Sequence, residues 1–165
     1  MYSSNLENQL IIVDIVDALQ DRVSIQIDID ETKVKAAELV AQQLDLKRLI
    51  GADNVKKCLE DDDNFNEELR ELVIPALCYF TYARCLKMFQ GTFTDSGFMT
   101  EGEALDKNTA KAVSNEMSSI AETFMEDVID WLEEQDEDDP QVDEARENLN
   151  PRIRTFGGEE WRATN

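Results

Sequence analysis

The feature that most restricts this chain is a helical run with apolar residues on nearly every side. Leu69, Leu72, Val73, Ala76, Leu77, Phe80 and Ala83 recur at three- and four-residue spacings, and Ile74, Cys78, Tyr82 and Cys85 fill the opposite side. A surface helix needs one apolar stripe, so a helix that is apolar all round belongs at the centre of a bundle or between subunits. Asn64 followed by Glu67 supplies a capping box for its start, and the spacing predicts that it ends near Phe89. Pro75 lies inside it and predicts a kink or break around residues 71–74, because proline deletes one backbone hydrogen bond and crowds the preceding turn.

A second long stripe, Val113, Met117, Ile120, Phe124, Val128 and Trp131, predicts a helix over residues 107–134. The two stripes are expected to pack antiparallel and to bury Leu72, Leu77, Phe80, Ile120, Phe124 and Trp131 against one another. Toward the N-terminus, Leu6, Leu10, Val13 and Val16 suggest a helix within residues 1–20. Val23, Ile25, Ile27 and Ile29 then alternate with Ser24, Gln26, Asp28 and Asp30, the two-residue period of a strand with one buried face. Asp30 can cap a helix carrying Val34, Ala37, Val40, Ala41 and Leu44. Gly51 closes its second apolar segment, and a short helix follows over residues 52–60. Thr92, Phe93 and Thr94, a turn at Asp95-Ser96-Gly97, and Phe98, Met99 and Thr100 read as a hairpin. The expectation is a mainly α fold: a bundle of about four to five helices with a small β element (strand 23–29 and hairpin 92–100). One domain would span residues 1–149, with a C-terminal arm over residues 150–165.

Charge narrows the function. Lys and Arg number 16, Asp and Glu 37, and histidine is absent, for a net charge of −21. Such a surface repels phosphate backbones and anionic membranes, and the missing imidazole removes the usual general base and metal ligand. The acidic clusters fail the calcium-loop template, which needs Gly at its sixth position and Glu at its twelfth. Counting from Asp28, those positions hold Lys33 and Leu39; counting from Asp61, they hold Asn66 and Leu72. Glu122, Glu126 and Asp130 form a ladder at four-residue intervals, which an acidic exposed helix produces by chance. Cys58, Cys78 and Cys85 lack a CxxC spacing and read as small core residues; Cys78 and Cys85 lie too far apart along one helix to pair. No signal peptide or long apolar span is evident, consistent with synthesis in a reducing compartment. Neither an enzyme, a cofactor nor a metal site is expected.

What remains is surface for partners. A lone strand at residues 23–29 leaves backbone groups to pair, either with the hairpin or with a strand of a neighbouring copy. The arm carries Arg152, Arg154 and Arg162 against Glu159 and Glu160, a net +1 in a chain otherwise at −22, together with Phe156 and Trp161. Arginine and aromatic residues are enriched in interfaces. The candidate contact residues are therefore Val23, Ile25, Ile27, Ile29, Thr92, Phe93, Phe98, Arg152, Arg154, Phe156 and Trp161.

The order of parts over residues 32–135 resembles the head–tail connector proteins of tailed bacteriophages, also called adaptor, neck or head-completion proteins. The likeness is carried by the helix holding Lys33 to Leu44, the Leu49-Ile50-Gly51 turn, Pro75-Ala76-Leu77-Cys78-Tyr79-Phe80, the Thr92-Phe93-Thr94 hairpin, and a long helix ending Asp130-Trp131-Leu132. It implies a structural virion protein made in the host cytoplasm and residing in the neck. Such proteins form a homo-oligomeric ring, commonly of twelve copies. The ring docks beneath the portal protein, contacts tail or further neck proteins, and lets DNA pass without specific binding or membrane contact. The acidic run at residues 133–139 has no counterpart role in that scheme. A rival reading is an acidic interaction protein, a DNA mimic or an inhibitor of a basic partner.

Overall fold

A computed structural model describes residues 9–23, 30–60, 64–88, 99–100, 103–104, 107–135 and 148. Five α-helical elements occur among them: α1 (Ile15–Val23), α2 (Glu31–Ala41), α3 (Lys47–Lys57), α4 (Asn64–Met88) and α5 (Lys107–Gln135). A π-helical segment, Gln42–Leu46, joins α2 to α3 without a break. The fold is a mainly helical bundle.

Local chemistry explains most of the boundaries. Asp30 caps α2, its carboxylate accepting from the Thr32 and Lys33 N–H groups at 3.0 and 3.4 Å. Gly51 interrupts α3 at φ 80°, ψ 166°, a conformation that a Cβ would disfavour. α4 passes through Pro75 as one helix of 25 residues, so the expected break is absent. The carbonyl that loses its partner belongs to Glu71, an exposed residue that water can reach, while Val73, Ala76 and Leu77 are fully buried and hold the helix in place.

α4 is the central element. It packs against α1, α2, α3 and α5, and its contacts with α5 show that the two helices run antiparallel: Phe65 meets Trp131, Tyr79 meets Phe124, and the Ser114 hydroxyl donates to the Ala83 carbonyl at 3.1 Å. Small residues line this crossing. Ala110, Ser114 and Ala121 let α5 approach closely, and Met125, Val128, Ile129 and Leu132 complete its buried side.

The stripe assigned to α5 needs correction. Leu77 and Phe80 are buried, but Leu72, Ile120 and Trp131 are half-buried and Phe124 is 36% exposed. The buried side is centred about a quarter turn away, on Ala110, Ser114, Ala121, Met125, Ile129 and Leu132, and shares Val128 with the expected stripe.

The β element as expected is also not supported. Val23 is the last residue of α1, half-buried against the core, rather than the first of a strand. Val23 follows Ile15 and Leu19 at four-residue intervals, on the side of the helix that those two bury. Residues 24–29 lie outside the described part. The described β pairing is short: β1 (Met99–Thr100) and β2 (Glu103–Ala104) are antiparallel, with Met99 opposite Ala104 and Thr100 opposite Glu103. Residues 92–98 of the expected hairpin lie outside the described part.

Candidate assembly surface

Phe65, Leu72 and Tyr79 recur every seven residues along α4, and Met117, Phe124 and Trp131 do the same along α5. In an antiparallel pair this spacing keeps both sets on one side, forming a continuous seam. The Tyr79 and Phe124 rings stack at 5.6 Å with 12° between their planes, and Phe65 tilts against Trp131 at 4.9 Å. The Lys57 ammonium sits 4.8 Å from the Phe65 ring centre, a cation–π contact that ties α3 to the end of the seam. Phe65, Leu72, Tyr79 and Trp131 rest their inner sides on the core. Their outer sides are partly open to solvent, as is Phe124 at 36% exposure, so the row forms a partly exposed apolar strip.

A second feature lies across α5 from the seam. The Arg48 guanidinium donates to the Asn148 carbonyl at 3.1 Å and approaches Glu122 Oε1 at 3.4 Å, and the Asn148 amide donates back to the Arg48 carbonyl at 3.3 Å. Lys47, Arg48, Leu49, Gly51, Ala52, Asp53 and Asn148 line a cleft of ≈ 460 Å³ there. Glu122 and Phe124 are two positions apart, or about 200° around the helix, so this anchorage and the seam occupy opposite sides of α5.

Two polar anchors hold the N-terminal part of the bundle. Glu38 is fully buried, and its Oε1 accepts from the Ile12 N–H at 2.9 Å. One turn on, Gln42 donates to the Gln9 carbonyl at 3.1 Å and accepts from the Ile11 N–H at 3.0 Å with its amide turned to match. Together they serve residues 9–12 as a strand partner would. Burial pushes the Glu38 carboxyl up to about 7, against the opposing pull of the Ile12 N–H, Lys35 and the Ile11 N–H, and its Oε2 has no partner. Elsewhere, Arg84 grips Asp45 of the π segment through two bonds, at 2.7 and 2.5 Å, joining it to α4.

Burial pushes the Cys58 thiol up to about 12, Cys78 to about 11 and Cys85 to about 12, so none is a ready nucleophile. Among the described residues, no group of three or more carboxylates and cysteines is placed to hold a metal ion, and no helix is long and apolar enough to cross a membrane.

Of the contact residues expected from sequence, Val23 is used inside the bundle. Ile25, Ile27, Ile29, Thr92, Phe93, Phe98, Arg152, Arg154, Phe156 and Trp161 lie outside the described residues. Sequence reasoning misses the seam because the α5 stripe places Phe124 and Trp131 in the core and nothing in the spacing places Tyr79 on a surface. The seven-residue recurrence of Phe65, Leu72 and Tyr79 was the signal that could have found it.

The family described as DUF6712, a family of unknown function, matches residues 31–151, from the first residue of α2 to just past Asn148. The chain belongs to the DUF6712 family. No curated protein and no solved structure matches the chain.

Proposed function

We propose that this DUF6712 protein is a structural assembly subunit, and specifically a head–tail connector of a tailed bacteriophage that joins a ring beneath the portal. The observation that carries the assembly reading is the seam. A bundle that leaves Phe124 36% exposed, with Phe65, Tyr79 and Trp131 half-buried beside it, has an apolar strip suited to burial against another protein. The connector reading adds the resemblance over residues 32–135 and the charge of −21, since an acidic channel lining repels passing DNA at short range. Subunits so charged must meet through apolar patches, and the seam supplies one.

The test is the mass of the purified protein, alone and mixed with a tailed-phage portal protein. Entry into a closed ring, or into a portal complex of fixed stoichiometry, is the expected result. A monomer that ignores the portal but competes with DNA for a basic partner would favour the acidic mimic, a reading that the charge supports equally but the seam does not.

A further inference from the structure

We infer that the seam of α4 and α5 is the seat of residues 150–165 of a second copy of this chain. The inference rests on the reading of the protein as an assembling subunit and names what fills its apolar surface.

Chemistry selects the occupant. Exposed acids border the seam: Glu68 lies three residues after Phe65 and four before Leu72, and Asp127 lies three after Phe124 and four before Trp131. Seam against seam would bring these like charges together. Residues 150–165 instead offer Arg152, Arg154 and Arg162 with Phe156 and Trp161. Their rings can stack on Tyr79–Phe124 and Phe65–Trp131 while the guanidinium groups reach the bordering carboxylates. The dimensions agree. The two ring pairs are about 10 to 20 Å apart along the helix axes, and an extended chain from Phe156 to Trp161 spans up to about 17 Å.

The assembly reading, not reach, selects a second copy: the eight residues from Asn148 to Phe156 span up to about 28 Å, enough for either seam, and a parent chain that never associates would leave the segment on its own copy. The chain continues past Asn148, which is held on Arg48 beside Glu122, on the side of α5 turned away from the seam. A segment that runs from Asn148 on this side to the seam of the next copy would join opposite sides of neighbouring subunits. That is a head-to-tail contact, which closes into a ring when the rotation between copies allows and otherwise grows a filament.

The experiment uses two full-length variants. Phe124→Asp spoils the accepting side; Arg152→Glu with Arg154→Glu and Trp161→Ala spoils the donating side. Sedimentation follows association up to millimolar protein, and circular dichroism checks folding. The parent chain should associate, and each variant alone should associate at least about thirtyfold more weakly, the loss expected for removing an interface anchor. An equal mixture should form pairs and nothing larger, because it contains one intact segment for each intact seam. Should Phe124→Asp unfold, the exposed Asp127→Lys spoils the same side by charge and should behave alike.

A variant that assembles like the parent, a mixture that stays monomeric, or a parent chain that never associates overturns the inference. The two readings fail separately. A chain that joins the portal while its donor variant self-associates normally keeps the connector role and loses this seat, whereas segment-dependent assembly without portal binding does the reverse.

Discussion

The two sides of α5 invert the usual expectation about size and burial. The side against α4 is built from Ala110, Ser114, Ala121, Met125, Val128, Ile129 and Leu132, none more than 5% exposed. A quarter turn away stand Met117 and the aromatic Phe124 and Trp131, half-buried or exposed. Alanine and serine occupy three of the seven positions against α4 and aliphatic side chains the rest, while both aromatic rings lie at the margin. A wide apolar arc on a helix can therefore serve two purposes, and the bulkier part need not be the core.

The strongest test of this contrast compares two phenylalanines. Phe80→Ala, at a site 2% exposed, should cost roughly 3–5 kcal/mol in denaturant unfolding, whereas Phe124→Ala should cost roughly 1–2 kcal/mol, for part of a ring's burial and its stack on Tyr79. Equal costs would abolish the distinction between core and seam. Next comes Glu38, the one acid buried beneath the N-terminal segment among the described residues. Its folded pKa of about 7 lies above the ordinary 4.5, so the native state holds a proton that the unfolded chain has lost between those values. Its contribution is fully present below pH 4.5 and is lost as pH rises through 7, by up to roughly 3 kcal/mol. Glu38→Gln should flatten that slope and raise the melting temperature above pH 7; an unchanged slope would assign the pH dependence to surface repulsion. Gly51→Ala should cost about 1–3 kcal/mol, since only glycine adopts its backbone angles readily. Smallest of all, Lys56→Ala breaks an exposed pair with Glu60 and should shift stability by no more than about 0.5 kcal/mol.

Much of the bundle is legible in the sequence because its determinants are local. Asp30 caps α2, Gly51 interrupts α3, and the unusual all-round apolarity of Leu69 to Leu86 identifies the central helix. The failures come where two periodicities fit the same residues or where packing decides. Val23 suits a strand or a helix end until Ile15 and Leu19 define a buried side. Phe124 belongs to the strongest apolar stripe, yet whether it faces α4 depends on how near α4 lies, which spacing does not encode. The Glu38 and Gln42 anchors were invisible because their partners are backbone groups of residues 9–12, distant in sequence and without a motif. Arg48 and Asn148 are a hundred residues apart and equally unmarked.

The π segment Gln42–Leu46 makes chain length itself a constraint. Its i→i+5 bonding accommodates an extra residue in the turn, so deleting any one of the five would return the helix to α geometry and rotate everything beyond it by about 100°. Asp45 would swing off Arg84, and Arg48 would part from both Glu122 and Asn148. Leu44, 55% exposed, tolerates many side chains on packing grounds; its removal would nonetheless separate Asp45 from Arg84 and Arg48 from both Glu122 and Asn148 in one step. At this point of the fold, counting matters more than identity.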